Sequence, residues 1–272
     1  IFPDPLGNIW VGTYGGGINY LAAGSDEFVH YRHDENNPRS LNNDRVLAVY
    51  QLVDGTIVVG TVSGINLLDP VSLEFDNIEH QPDNVDSLSA SMAWAFYQDP
   101  TGSLWVGTQG GGLNQWQPQD MAALNNYFTH YDSFSGLPSS HIYAILDDDS
   151  GHLWLSSTAG LTRLEPKTGA VRNFDTSDGL KDSEFNFGAG FKDSKGMMYF
   201  GGNSGFVRFH PNDIDDNQFI PPVVLVRIKK LNEQVWFDVP YQKLQELVLD
   251  STDYFISFEF AALGFKAPEQ NE

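Results

Sequence analysis

The stretch that decides the fold reads GSLWVGTQGGGLNQW at residues 102–116, and four other stretches of the chain repeat it. The copies read GNIWVGTYGGGINYL at 7–21, GTIVVGTVSGINLL at 55–68, GHLWLSSTAGLTRL at 151–164 and GMMYFGGNSGFVRF at 196–209. Their first glycines lie 48, 47, 49 and 45 residues apart in chain order. A period this long and this regular indicates one supersecondary unit that is repeated in space.

Each copy has the residue pattern of β-strands. In the first copy Ile9 and Val11 face one way while Trp10 and Gly12 face the other. A glycine-rich turn and two further strands follow, and an apolar strand precedes each first glycine. We expect that preceding strand to be the innermost one, buried on both faces. Four short strands per unit predict an all-β fold, a β-propeller with five recognisable four-stranded blades, near residues 1–41, 42–88, 89–137, 138–180 and 181–220.

Two repeated residue types predict how the blades are built. The glycine of the WVGT segment is expected to let neighbouring sheets approach closely, while the tryptophan beside it fills the gap. An aspartate stands three residues before most of the first glycines. Its carboxylate is expected to accept hydrogen bonds from the backbone of a tight turn, rather than to bind calcium. These aspartates are Asp4, Asp99, Asp148 and Asp193.

The two ends of the pattern predict a piece of a longer protein. Only Ile1 and Phe2 precede the first turn, so the first unit is expected to begin at its second strand. Its innermost strand would then come from another segment, and the five units would form part of a larger ring. The chain also begins without methionine, which favours a fragment.

Composition excludes several classes of function. The net charge is −21, from 15 basic against 36 acidic residues. A charge of this sign repels phosphate backbones and anionic lipids, so we expect no nucleic-acid partner and no membrane-surface partner. Because the chain has no cysteine, it has no disulfide, no zinc–thiolate site and no cysteine nucleophile.

Residues 221–272 predict a second domain. Pro221 and Pro222 mark its boundary, and residues 223–231 and 254–260 alternate apolar and polar side chains. Phe255 and Ser257 would face away from Ile256. This pattern is typical of half-buried strands in an immunoglobulin-like β-sandwich.

Candidate ligand-binding residues come from aligning the innermost strands on the first glycines. One equivalent position, at the start of the innermost strand, holds Arg45, Met92, His141 and Asn186, and the position two residues later holds Leu47, Trp94, Tyr143 and Gly188. The start of an innermost strand lies at the mouth of a propeller's central channel, where small molecules commonly bind. Trp94 and Tyr143 could stack on a sugar face, and Arg45, His141 and Asn186 could donate hydrogen bonds. Alternatively, the polar residues meet solvent and the aromatic residues fill the core.

No catalytic constellation is recognisable in the sequence. The seven histidines are scattered without metal-ligand spacing, and no nucleophile stands in a recognisable context. We therefore predict a non-enzymatic protein without catalytic residues, cofactor or metal.

Several segments resemble a known family. SLNNDRVLAVYQ at 40–51, GLPSSHIYAILDD at 136–148 and the D-x-x-G-x-x-W-V-G-T blocks resemble the two-component regulator propeller repeat. Residues 221–237 and 247–272 resemble the start of the Y_Y_Y domain that follows such propellers. The resemblance implies the periplasmic sensor region of a bacterial membrane receptor, whose output is a histidine kinase, a hybrid two-component regulator or a GGDEF-type diguanylate cyclase. It also implies signal transduction by a small-molecule or oligosaccharide ligand, through a shape change or through a homodimer.

Two alternatives remain open at this point. The G-x-x-W blocks also resemble the propeller of streptogramin lyases, which use a histidine and a magnesium ion in the channel. His141 would then be indispensable for turnover. The third alternative is a scaffold that binds another protein through a blade edge or an outer face.

Overall fold

The computed structural model describes residues 1–214, 223–231, 233–237, 240, 246–249 and 255–262. The chain forms two compact units, Ile1–Ile214 and Asp215–Glu272. Within residues 1–214 the secondary structure is β-strand apart from one five-residue helix and three 3₁₀ turns. The predicted all-β class is therefore confirmed, whereas the predicted limits of the individual blades and of the second domain stay predictions.

Five antiparallel sheets, here called blades 1 to 5, follow one another along the first unit. Each blade is built from consecutive strands, so every connection inside a blade is local. Blades 1 to 4 have four strands, and blade 5 has three within the described residues. The strands are, in blade 1, β1 Phe2–Pro3, β2 Ile9–Gly12, β3 Ile18–Leu21 and β4 Phe28–Tyr31; in blade 2, β5 Val46–Gln51, β6 Ile57–Thr61, β7 Ile65–Leu68 and β8 Phe75–Ile78; in blade 3, β9 Ala93–Gln98, β10 Leu104–Thr108, β11 Leu113–Trp116 and β12 Phe128–Tyr131, with the helix α1 Pro118–Ala122 before β12; in blade 4, β13 Ile142–Asp147, β14 Leu153–Ser157, β15 Gly160–Glu165 and β16 Ala170–Phe174; and in blade 5, β17 Phe185–Lys192, β18 Met198–Gly202 and β19 Gly205–Phe209.

The first and fifth blades differ from the prediction. Blade 1 does have an innermost strand, because Phe2 pairs with Trp10 and Pro3 pairs with Ile9. The prediction that the first unit begins at its second strand is therefore wrong, since two residues are enough for a short ladder. In blade 5 the part of the predicted unit that follows Ile214 lies outside the described residues, so its fourth strand stays a prediction.

The repeated aspartate ties the first turn of a blade to its tryptophan. In blade 3, Asp99 Oδ1 accepts hydrogen bonds from the backbone N–H groups of Thr101 at 2.8 Å and Ser103 at 3.1 Å. Asp99 Oδ2 accepts a hydrogen bond from Trp105 Nε1 at 2.8 Å. The predicted turn role of the aspartate is confirmed, and the structure adds the tryptophan as its third partner. Equivalent bonds join Asp4 to Trp10 at 3.3 Å, Asp148 to Trp154 at 3.1 Å and Asp193 to Tyr199 at 3.4 Å.

Glycines let each blade pack tightly against the next one. A Cβ atom on Gly107 of blade 3 would lie 2.9 Å from Ile142 O of blade 4. A Cβ atom on Gly60 of blade 2 would overlap Ala93 O of blade 3. Trp105 is fully buried in the core shared by blades 3 and 4. The predicted division of labour between the glycine and the tryptophan is therefore confirmed.

The glycine-rich turn holds the start of the next innermost strand. In blade 1, Gly15 N and Gly17 N both donate hydrogen bonds to Asp44 O, at 3.0 and 2.9 Å. In blade 3, Gly110 N and Gly112 N donate to Ser140 O at 2.9 and 2.8 Å. Gly112 has φ +75°, a conformation that glycine adopts at little cost. Two N–H groups on one carbonyl thus fix where β5 and β13 begin.

The innermost strands are less buried than the sequence predicts. In β5, β9, β13 and β17 the first residue is buried, but the next residue is partly exposed in β5, β9 and β13 and exposed in β17. The expectation of burial on both faces is wrong, because one face of these strands is not covered by another sheet.

The second unit contains one small sheet within the described residues. Strand β20 (Val223–Lys230) pairs with β21 (Glu233–Gln234) and with β22 (Ile256–Ala262). Phe258 and Phe260 on the face predicted to be buried are 45% and 64% exposed. The half-buried pattern is therefore wrong for the described part of β22. Tyr254, Pro221 and Pro222 lie outside the described residues, and the β-sandwich and the Y_Y_Y domain stay predictions.

The described residues contain no helix that is both long enough and apolar enough to cross a membrane.

Replacing the glycine between blades tests the tight packing. We expect Gly60→Ala to lower the free energy of unfolding by about 1–3 kcal/mol, because the added Cβ meets backbone that must move. Blade 4 has Ser156 at the matching position, with a buried Oγ that has no hydrogen-bond partner among the residues that the structure describes. Ser156→Ala should therefore leave stability unchanged or raise it. Urea unfolding measures both, and equal losses in the two variants would contradict the packing argument.

The aspartate–tryptophan contact predicts a dependence of stability on pH. Burial alone would raise the pKa of Asp148, but hydrogen bonds from His152 and Trp154 outweigh it and hold the pKa below its usual value. A lowered pKa contributes stability above the unfolded value of about 3.9, and this contribution is lost as the pH falls through the folded value. The difference in the free energy of unfolding between wild type and Asp148→Asn should therefore decrease as the pH is lowered from about 5 to about 3.

The matched control for this prediction is Asp83→Asn, which removes an exposed carboxylate. Its urea midpoint should follow that of wild type over the same pH range. A gap for Asp148→Asn that stays constant as the pH falls would show that the carboxylate has no lowered pKa.

Candidate functional site

A β-bulge opens the innermost strand of blades 2, 3 and 4 at the same place. In blade 3, Ala93 pairs with Thr108 and Ala95 pairs with Gly107, so Trp94 between them has no residue opposite it. The same shift occurs around Leu47 in blade 2 and Tyr143 in blade 4. A bulge removes its extra residue from the ladder and turns the side chain. Three blades thus present one unpaired side chain each at the beginning of the innermost strand.

Blade 5 has a longer bulge at this place. Phe185 pairs with Gly202 and Gly190 pairs with Phe200, so residues 186–189 stand opposite the single residue Gly201. We call residues 186–189 the long bulge. It inserts three extra residues into the innermost strand, where each of the other bulges inserts one. Every count made backwards from the glycine of that repeat is therefore shifted by two residues.

This shift corrects the alignment of the candidate residues. Backbone hydrogen bonds run from Gln109 N to Met92 O at 3.0 Å in blade 3 and from Asn203 N to Glu184 O at 3.3 Å in blade 5. Glu184, and not Asn186, therefore occupies the position of Arg45, Met92 and His141. By the same correction Gly188 is not the equivalent of Trp94.

The sequence contains a second pattern from which Glu184 could have been identified. The dipeptide Gly136-Leu137 precedes blade 4, and the dipeptide Gly179-Leu180 precedes blade 5. Counting forward from these dipeptides places Glu184 level with His141. Counting backward from the next glycine crosses the long bulge and fails.

Aromatic side chains from the bulges of blades 3, 4 and 5 contact one another. The rings of Trp94 and Tyr143 are stacked, with centroids 5.1 Å apart and an interplanar angle of 23°. Phe187 from the long bulge packs edge-on against Trp94 at 4.9 Å. We call Trp94, Tyr143 and Phe187 the aromatic cluster. His141 borders it, with its ring centroid 6.4 Å from that of Tyr143.

The structure brings together some of the predicted site residues and not others. Trp94, His141 and Tyr143 lie together, as the previous distances show. Arg45 lies over the ring of Tyr14 instead, 5.4 Å from its centroid. Asn186 is exposed on the long bulge. Whether any of the five predicted residues binds a ligand stays a prediction.

Trp94 carries a hydrogen-bond donor without an acceptor. Its Nε1 atom is buried and has no hydrogen-bond partner in the described part of the chain. By contrast, Trp105 donates to Asp99 at 2.8 Å, Trp116 to Asn125 O at 2.8 Å and Trp154 to Asp148 at 3.1 Å. A buried donor that stays unpaired costs about 1–3 kcal/mol. Trp94 therefore has one donor to offer to an oxygen atom that the described residues do not supply.

The other ends of the innermost strands carry charge. Lys192 of blade 5 pairs with Asp147 of blade 4 at 3.0 Å, which joins the two strands. Burial raises the pKa of Tyr97, and the nearby Asp147 carboxylate raises it further. Tyr97 is therefore neutral at physiological pH. Among the residues that the structure describes, no group of three or more histidine, cysteine, aspartate or glutamate residues is arranged to hold a metal ion.

Several clefts in the first unit are lined by residues other than those of the aromatic cluster. One, of about 400 Å³, lies between blades 1 and 2 and is walled by Trp10, Tyr20 and Tyr31. Another, of about 190 Å³, is lined by Glu184 and Phe206, among other residues of blade 5 and the segment that leads into it. The first of these offers aromatic rings to a ligand and is the competing location for a binding site.

Comparison with known families assigns two segments of the chain. Residues 87–110 and 136–159 match the family described as two component regulator propeller. Each segment covers the innermost strand and the second strand of one blade, β9 with β10 and β13 with β14. The resemblance to the two-component regulator propeller repeat is therefore confirmed for these two segments.

A curated relative covers part of the chain. Histidine kinase P4 from Formosa agariphila is 29% identical over 133 residues, which is 46% of this chain and 10% of the relative. The chain thus spans a small part of that kinase. The activity, substrates and partners of the whole relative are not properties that the chain shows.

Two solved structures share the fold. The extracellular domain of the hybrid two-component system BT4673 from B. thetaiotaomicron is 17% identical, with a TM-score of 0.68, and the match covers 95% of this chain and 47% of that one. Virginiamycin B lyase from Staphylococcus aureus is 15% identical, with a TM-score of 0.56, and the match covers 78% of this chain and 70% of the lyase. At these identities the likeness shows the fold alone, and the predicted β-propeller is confirmed.

The unpaired indole predicts a contrast between two tryptophans. Trp94→Phe removes a buried N–H group that has no acceptor, and we expect a loss of about 1 kcal/mol or less. Trp105→Phe removes the bond to the Asp99 carboxylate and should cost about 2 kcal/mol or more. Urea unfolding of the two variants measures the difference. Equal losses would mean that Trp94 Nε1 has a partner after all.

Proposed function

We propose that this chain is a ligand-sensing module from the periplasmic region of a transmembrane receptor, either a two-component sensor or a diguanylate cyclase. The module binds its ligand without catalysis. The propeller repeats and the shared fold with the extracellular domain of BT4673 support this proposal. The match to part of a histidine kinase supports a kinase output over a cyclase.

The aromatic cluster is the single observation that carries the proposal. The backbone of blades 2 to 4 repeats the same bulge, yet the bulged residue changes from Leu47 to Trp94 to Tyr143. A purely structural role in identical backbones would favour one residue type. Different side chains on a repeated bulge are expected where the blades together shape one asymmetric site.

The chemistry of the cluster favours a neutral ligand with a flat apolar face and polar edges. Trp94 and Tyr143 are only partly buried, so part of their surface remains accessible for stacking. His141 and the indole of Trp94 supply hydrogen-bonding atoms. An oligosaccharide combines such faces and edges in every sugar ring. Arg45 and Asn186 are proposed as donors to more distant sugars, because both are exposed.

The route of the signal is part of the same proposal. A ligand that contacts Trp94, Tyr143 and Phe187 touches three blades at once, so its binding would change the spacing of their innermost strands. Such a change, or a homodimer formed by two sensor regions, would carry the signal to the membrane segment of the receptor.

A thermal-shift screen tests this function. The purified chain is mixed with neutral and acidic oligosaccharides, amino acids, nucleosides and short peptides. We expect a neutral oligosaccharide to raise Tm by about 5 °C or more at a concentration a hundred times its Kd. Trp94→Ala and Tyr143→Ala should abolish the shift.

The matched control is Phe134→Ala, which removes a ring that is 99% exposed. It should retain the full shift. If only ligands of another class raise Tm, the proposal of a saccharide ligand is rejected. If the increase in Tm persists in Trp94→Ala and Tyr143→Ala, the binding site lies elsewhere.

A further inference from the structure

The long bulge covers Trp94, whose indole donor is buried without an acceptor among the described residues. Phe187 contacts the ring of Trp94 edge-on at 4.9 Å, although Phe187 itself is 58% exposed. An exposed phenylalanine gains little from burial, so its position over Trp94 is weakly held. Trp94 Nε1 lies buried nearby without an acceptor. The covering ring comes from β17, whose bulge is longer than those of β5, β9 and β13.

The long bulge is built to move without disturbing the sheet. Residues 186–189 make no ladder pairs, while Phe185 and Gly190 on either side are paired with β18. Gly188 has φ +66°, and a Cβ atom there would meet nothing within 4 Å. Moving Phe187 therefore breaks no strand pairing and meets no neighbour at Gly188. Both ends of the segment stay anchored.

We propose that Phe187 is a movable cover over a ligand subsite, in which Trp94 Nε1 donates a hydrogen bond to an oxygen atom of the ligand. The ligand displaces the phenyl ring, places its own apolar face against Trp94 and supplies the acceptor that the protein lacks. This inference rests on the proposed function, because it assigns a part of the same site. It adds Phe187, which the sequence alignment missed, as the residue that controls access.

The charge of the chain favours a neutral ligand. Its net charge of −21 disfavours an anion. The segment that leads into the long bulge is acidic as well: Glu184, one residue before β17, binds Asn203 Nδ2 at 2.9 Å, and Asp182 accepts a hydrogen bond from Ser204 at 2.8 Å. The ligand class is therefore a neutral ring compound with an exposed oxygen, such as a pyranoside.

The first test needs no ligand. In protein labelled with ¹⁵N at its six tryptophans, the Trp94 indole signal is assigned by its absence in Trp94→Phe. We expect the Trp94 Nε1–H group to exchange with solvent about tenfold faster in Phe187→Ala than in wild type, because the cover is gone. Phe134→Ala should leave the rate unchanged. An unchanged exchange rate of the Trp94 Nε1–H group in Phe187→Ala would contradict the proposal that Phe187 covers Trp94.

The second test uses maltotriose, cellotriose and xylotriose as neutral probes. A probe that raises Tm should also shift the Trp94 Nε1–H signal downfield, as a new hydrogen bond does. If a probe raises Tm while the Trp94 signal stays in place, the assignment of Trp94 as donor is wrong. If no probe raises Tm, the saccharide in the proposed function is contradicted, and the exchange rate in Phe187→Ala still decides whether Phe187 is a cover.

Discussion

The close contact between a glycine of one blade and the innermost strand of the next is the constraint on which the rest of this structure depends. Gly12 packs against Val46, Gly60 against Ala93 and Gly107 against Ile142. The residue that packs on the glycine is in each case the one just before the bulge. With that residue fixed by the neighbouring blade, the next side chain leaves the ladder, so the packing of the blades also places the side chains of the candidate site.

Much of this architecture could be predicted from the sequence, because its causes are local. A glycine that meets the next blade and an aspartate that closes a turn recur in most of the repeats, and residue type alone indicates both roles. The two-residue strand β1 could not be predicted, because Phe2 and Pro3 carry too little pattern to indicate pairing. The exposure of Phe258 could not be predicted either, since alternation shows which residues share a face but not whether that face is covered.

The candidate site was predicted in part, and the reason for the failure is physical. Trp94 and Tyr143 lie in strands with one-residue bulges, and His141 directly precedes one of them, so counting from the glycines placed them correctly relative to one another. The long bulge in blade 5 changes the count without changing the residue types around it. Asn186 was therefore aligned in place of Glu184, and Phe187 was missed although it completes the aromatic cluster.

A repeated backbone whose bulged residues differ from blade to blade is suited to binding a ligand. The turn aspartate recurs in blades 1, 3, 4 and 5, and the interblade glycine recurs in blades 1, 2 and 3. The bulges of blades 2 to 4 accordingly lie at the same place. Three different side chains, Trp94, Tyr143 and Phe187, then meet in one cluster. This separation of scaffold and site explains why the repeats identify the fold while the departures from them point to function.

A crystal structure of the protein with a stabilising oligosaccharide would decide where the ligand binds. We predict a sugar ring against Trp94 and Tyr143, with one of its oxygen atoms within hydrogen-bond distance of Trp94 Nε1. A sugar bound instead in the cleft between blades 1 and 2, against Trp10 and Tyr20, would contradict this account.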